Sequence, residues 1–391
     1  MRPSVKLWVA QHWKILVVVI FSLGLILAAG FWVIFKGYSL PWTGFGGFST
    51  PEGLFVRAKT LWDWLQLFII PISLAIGLIF LNYAERQRQL HRAEERANLE
   101  REIATDRQQE TAFQSYLCRM ADALLKDKLR TTDNEEVREV ARLQTITTLR
   151  ELDSNRKGML LLFLMEAGLI TEKTIINLTG ADLTRTTLAV TNLSGANLSR
   201  VDLTKANLRL AKLNQVNLAG ANMIETDLFE ANLEKANLEE ALLASAMLNR
   251  AILKGAHLKN AILLQADLTQ ADLSDTDLTG ADLTEANLTG AFLRGADLNG
   301  AKLTGACLKG ADLTEANLTD ANLTRVSLNG AYLRGADLNG THLRGADLNG
   351  ANLAGASLAR ANLMNAKVSE KQLAKAKSLG GTIMPDGTQH M

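Results

Sequence analysis

GADLNGTHLRGADLNGANL, residues 335–353, repeats one five-residue phrase: a small residue, a polar residue, Leu, then two further polar or glycine positions. That period suits neither an amphipathic helix, with its turn of 3.6 residues, nor a straight strand, with its alternation of two. Followed outward, the phrase holds from Leu178 to Leu363. All 38 of these every-fifth positions are Leu except Met223. Two residues before each, from Ala181 to Ala361, 29 of 37 positions are Ala and the other eight are Thr or Val. No insertion breaks the phase. In extended backbone, residues two apart face the same side, so the Ala and Leu slots point inward together and the other three point outward. Continued as a straight strand, the chain would carry the next Leu outward; it must therefore turn once per repeat. Burying each Leu contributes roughly 2 kcal/mol, and the small companion lets opposing walls approach. Such a period is read before any motif.

The A(D/N)LXX pattern over this length resembles the pentapeptide repeat family. The resemblance implies a mainly β fold, a right-handed quadrilateral β-helix with four repeats per coil and Leu at the central inward position. About nine coils at a strand spacing of ~4.8 Å would make a solenoid roughly 45 Å long. Farther toward the amino terminus, TLWDWL (60–65), IATDRQQE (103–110) and YLCRMADALL (116–125) resemble modules of membrane-anchored pentapeptide repeat-containing proteins of cyanobacteria and other bacteria.

Composition is segregated along the 391 residues. All six Trp (Trp8, Trp13, Trp32, Trp42, Trp62, Trp64) precede residue 65, and no Pro falls between Pro71 and Pro385. The reading divides the chain into residues 1–83, a membrane hairpin; 84–170, an α-helical connector and amino-terminal cap; 171–368, the repeat β-helix; and 369–391, a carboxyl-terminal capping helix and tail. Within the first, residues 15–35 and 65–81 are free of charge, lengths that suit transmembrane helices, with Trp13, Trp32, Trp62 and Trp64 as interfacial belts. Arg2, Lys6 and Lys14 before the first span, and Arg86, Arg88, Arg92, Arg96 and Arg101 after the second, place both ends in the cytoplasm by the positive-inside rule. A multi-pass protein of an inner or thylakoid membrane is expected. The connector is dense in helix formers and carries an apolar stripe at Phe113, Tyr116, Leu117, Met120, Leu124 and Leu125. Asp133-Asn134-Glu135-Glu136 has the form of a capping box for a second helix, and residues 158–167 form a short apolar helix before Gly168. Ser369-Glu370-Lys371-Gln372 opens the capping helix, expected over Gln372–Leu379.

A net charge of +1 excludes a generally basic nucleic-acid-binding chain. Two Cys, Cys118 and Cys307, make neither a disulfide framework nor a zinc site alone. Asp267, Asp272, Asp277 and Asp282 sit at the outward slot where Asn alternates with Asp; His257 and His342 occupy the same slot without an evident partner. No catalytic, cofactor-binding or metal residues are assigned, and no cofactor is expected. Over 262–322 there are ten acidic and three basic residues, which raises a DNA-mimic reading directed at gyrase, as the family resemblance also implies. An accessory role in membrane transport or envelope-lipid deposition is a further alternative. The favoured function is a membrane-tethered, non-enzymatic protein-interaction scaffold with a protein partner or a second copy of itself, and no nucleic acid. Its candidate surface is where the outward slot stops being polar: Leu242, Met247, Ile252, His257 and Ile262 in five consecutive repeats, with Phe292 and Tyr332 on the face of Ile252 if residues 20 apart stack. Exposed apolar groups gathered together often mark a docking surface.

Overall fold

The computed structural model describes residues 48–49, 51–53, 55–56, 61–132, 134–170 and 174–391. Residues 1–102 and 103–391 form two compact units. In the first, β1 (Phe48–Ser49) pairs antiparallel with β2 (Phe55–Val56). Helix α1, Leu61–Leu125, begins in this unit and ends in the second.

The expected transmembrane hairpin, and the multi-pass membrane placement drawn from it, are corrected here. Among the described residues no helix is long and apolar enough to cross a membrane. Residues 65–81 are the early part of α1, which continues through Pro71 and into the charged segment from Glu85 without a break. Seventeen residues rise only about 25 Å along a helix, short of a hydrocarbon core of ~30 Å. The other span, 15–35, with Trp13 and Trp32 and the cations before it, lies outside the described residues.

The second unit is a four-sided β-helix. Outward residues pair in parallel with those 20 positions on, from Asp182 with Asp202 through Asp347 with Lys367. Four repeats therefore close each coil. Each Leu N–H donates to the carbonyl of the outward residue one coil on, as Leu183 does to Asp202 at 2.8 Å, and that residue's N–H returns to an inward carbonyl, Asp202 to Ala181 at 3.0 Å. The Leu and Ala residues of the array's inward slots are buried in one continuous core, while Thr191 is half-buried. Inward Thr residues keep their hydroxyls satisfied: Thr186 donates to Leu183 O at 2.7 Å and Thr276 to Leu253 O at 3.0 Å.

The turn that the period demands is a left-handed corner. Every fifth residue from Gly180 to Asn365 has positive φ, and many of these are not glycine. Val190 is the harshest case, a β-branched residue at φ 61° with 71% of its surface exposed. Left-handed backbone costs an L-residue roughly 1–2 kcal/mol, and glycine gives back about 0.5–1 kcal/mol as entropy. Val190→Gly is therefore expected to stabilise the first coils by about 0.5–1 kcal/mol, read as several-fold slower amide exchange between residues 183 and 210. Faster exchange there would contradict the strain argument.

Both ends of the solenoid are closed. At the amino-terminal end, Phe113, Tyr116 and Met120 of α1 are buried with α2 (Glu135–Glu151) and α3 (Ser154–Glu166), whereas Leu125 is 80% exposed. Helix α2 starts from Asn134, whose side chain accepts from the Glu136 N–H; Asp133 lies outside the described residues. Arg156 of α3 gathers Asp106 at 2.8 Å, Glu110 at 3.0 Å and Asp153. Its neighbour Lys157 is buried and reaches Asp182 of the first coil at 2.8 Å. At the carboxyl end α4, Glu370–Leu373, is four residues long, shorter than the helix expected over Gln372–Leu379. Ser369 and Gln372 cap each other, and Gln372 Nε2 donates to Leu348 O and Ala351 O at 2.7 and 2.9 Å, the second a carbonyl that a further coil would otherwise satisfy. The chain then adds part of a coil and folds back, Ile383 pairing antiparallel with Gln389.

Candidate functional site

The 20-residue stacking sorts the outward slots into four faces, one for each repeat of a coil. Leu242, Met247, Ile252 and His257 fall one on each face, and Ile262 stacks on Leu242. The lapse in polarity thus encircles the solenoid once. Met247 and Ile252 are 43% and 41% exposed, His257 is exposed, and Leu242 and Ile262 are half-buried. Leu264, a turn residue that the slot-by-slot reading passed over, adds another exposed apolar group. Its signal was present in the sequence, since polar residues fill most slots of its kind.

One face carries a second pattern. Ile252, Asp272, Phe292, Asp312 and Tyr332 pair successively down a single ladder. Phe292 and Tyr332 are 52% and 55% exposed, so both rings stand out from the wall with a carboxylate between them. The corners on either side of this stretch include Gly290, Gly295, Gly310, Gly330 and Gly335, and the turns that follow the two rings carry the exposed Arg294 and Arg334.

The polar slots are not free solvated groups. Asp and Asn side chains curl back to accept the N–H two residues on, as Asp272 does from Ser274 and Asp312 from Thr314, both at 3.0 Å. In several repeats a following Thr hydroxyl donates to the same oxygen, as Thr279 Oγ1 does to Asp277 Oδ1 at 2.6 Å. Burial pushes the Asp277 carboxyl upward, but the Thr279 hydroxyl and N–H, with the charges of His257 and Lys259, outweigh it and hold the group below its ordinary value. This local capping explains why Asp and Asn interchange in the repeat: each supplies the acceptor oxygen the turn needs.

Nothing in the array brings reactive groups together. Among the described residues no cluster of three or more His, Cys, Asp or Glu could hold a metal ion. Cys307 Sγ lies 3.3 Å from Thr289 Oγ1, and His342 stacks between Asn322 and Asn362. The acidic residues of 262–322 divide among the faces: Asp267, Asp272, Asp277 and Asp282 stand on four different ladders.

Comparison with known proteins fits this geometry. The model for pentapeptide repeats matches in eight copies between residues 176 and 370. Curated proteins gave no match. Among solved structures, the chain is similar to HetL, a pentapeptide repeat protein involved in heterocyst differentiation regulation from the cyanobacterium Nostoc sp. strain PCC 7120. That likeness has 34% identity, covers 59% of this chain and 98% of that one, and has a TM-score of 0.40. It is also similar to QnrB1, a plasmid-mediated fluoroquinolone resistance protein, at 20% identity over 45% of this chain and 89% of that one, TM-score 0.41. A third is a pentapeptide repeat protein of the Arabidopsis thaliana thylakoid lumen, at 30% identity over 26% and 72% of the two chains, TM-score 0.23. With the five-residue phrase, the 20-residue coil and the family model in agreement, the chain belongs to the pentapeptide repeat family.

Proposed function

We propose that this protein is a non-enzymatic interaction scaffold, a rigid β-helix that presents a protein-docking surface at the girdle of Leu242, Met247, Ile252, His257 and Ile262 and along the Phe292 and Tyr332 face. The observation that carries this reading is the lapse of polar outward residues through one full coil, where burial in the core places no demand on side-chain type. Large apolar groups exposed together on a regular wall favour association. A DNA-mimic reading would need one continuous acidic wall to imitate a duplex with a charge every ~1.7 Å. The division of Asp267, Asp272, Asp277 and Asp282 among four ladders speaks against it.

Lys254 and Lys259 flank the girdle and offer amines for crosslinking. In cells producing the intact chain, protein crosslinks should concentrate at these two lysines. The pair Ile252→Asp and Phe292→Asp should abolish them without altering the melting curve, because Asp272 and Asp312 already occupy the same ladder. Crosslinks that survive the double substitution would reject the surface; crosslinks to a second copy would identify the partner as the chain itself.

A further inference from the structure

The scaffold reading leaves open what lies on the aromatic face, and the spacing of that face narrows the answer. Ile252, Phe292 and Tyr332 recur every second coil, a step of about 9.6 Å at the usual strand spacing. Asp272 and Asp312 stand midway between them. Each carboxylate uses Oδ1 to cap its own turn. Neither is in an ion pair among the described residues, and the neighbouring cation Arg294 turns instead to Glu315 at 3.7 Å. An occupant must therefore present apolar groups at that step with cations between them.

An extended partner strand does not fit. Its same-side residues recur at about 6.7 or 13 Å, and neither distance matches. A helix does: residues seven apart lie on one side and about 10.5 Å apart. Over the four coils from Ile252 to Tyr332, about 19 Å, fourteen helical residues rise about 21 Å, a mismatch that side chains absorb. The same residues of a helix put positions three or four further on midway between the apolar ones, opposite the carboxylates. A second copy of this face is disfavoured. Two such stripes laid antiparallel about Phe292 would set Asp272 against Asp312, and a shift of one coil would set each ring against a carboxylate.

Resting on the scaffold reading, we propose that this face receives an amphipathic helix of a partner protein, laid along the solenoid axis. Its apolar side chains recur every seventh residue, seated at Ile252, Phe292 and Tyr332, and its Lys or Arg residues between them meet Asp272 and Asp312.

The test uses the full chain and designed helical peptides of three heptads, with one Leu per heptad and either Lys or Glu midway between, followed by fluorescence anisotropy. The Lys peptide should bind about tenfold more tightly than the Glu peptide, the scale of a few exposed charge pairs acting together. Phe292→Ala with Tyr332→Ala should weaken the Lys peptide by at least about tenfold, as loss of aromatic anchors does. Asp272→Lys with Asp312→Lys should invert the preference. Lysine is compatible with the slot, since Lys212, Lys302 and Lys367 occupy it elsewhere, and a melting curve checks that the variant folds. Equal affinity for the two peptides, no binding of either, or a preference that the lysine pair leaves unchanged would overturn the proposal. The crosslinking result separates this outcome from failure of the scaffold reading: if the aspartate substitutions at Ile252 and Phe292 still abolish crosslinks, the surface stands and only the basic-helix partner falls.

Discussion

Gly158→Val is expected to unseat the amino-terminal cap. A Cβ at this position would lie 2.8 Å from the backbone carbonyl oxygen of Thr187, and a carbonyl fixed in the first coil cannot swing aside as a side chain would. Helix α3 must then lift. The lift draws Lys157 away from Asp182, now 2.8 Å distant, and strands a buried ammonium group. It also opens the apolar contacts of Leu160, Leu161 and Leu164, which have no exposed surface. Overpacking alone costs about 1–3 kcal/mol, and loss of the lysine's partner adds to it, so a total of about 3 kcal/mol or more is expected. The exposed first coil would present unpaired edge groups, a template for association. The measurement is amide exchange with sizing chromatography. Protection should fall at Leu183 and Leu188 and persist at Leu343 and Leu348, with a shift to higher mass. Unchanged protection in the first coil would show that the cap tolerates the methyl groups.

The second large effect lies in the middle of the array. Leu288 is fully buried, and Leu268 and Leu308 lie in register with it one coil to either side, as the pairing of Asn287 with Asp267 and Cys307 shows. Leu288→Ala is expected to cost about 3 kcal/mol, combining lost transfer energy with a cavity that the stiff coils cannot close. Solenoid stability is a sum of units and nearest-neighbour terms, so the damage should remain local. Exchange should accelerate between residues 265 and 310 and hold at both ends. A second substitution five coils away, Leu188→Ala, should add its cost without coupling. A uniform loss of protection along the whole array would refute the nearest-neighbour account.

The array was legible because core burial constrains two slots in five, and those constraints survive every change on the outside. The coil length, implied by family resemblance, appears in the pairing of Asp182 with Asp202 and its successors. The corner was partly hidden. Every Gly between residues 176 and 365 falls on the corner slot, but left-handed φ also falls there on Arg185, Val190 and Glu240, so glycine marked the turn only in some repeats. The Asp and Asn slots read as solvated surface, yet they cap turns; a side chain that faces outward can still bend back upon its own backbone. The hairpin expectation failed for a different reason. Hydropathy reads 65–81 as an isolated apolar run, whereas the helix that contains it extends to Leu125. Of the candidate surface, the girdle and the Ile252 ladder could be placed from the period together with the four repeats per coil that the family resemblance implied. How far each side chain protrudes, and the contribution of Leu264, required the coordinates.

Parallel β structure ordinarily brings together segments separated by long crossovers, and it folds slowly for that reason. Here the ladder bonds join residues 19 to 21 positions apart, Leu183 with Asp202 and Asp202 with Ala181 being one pair of steps. Each new coil therefore closes a loop of the same modest length on a template already formed, and the entropy of closure does not grow as the solenoid lengthens. Such a chain can zip from any finished coil toward either end, so its extent adds little to the search that folding requires.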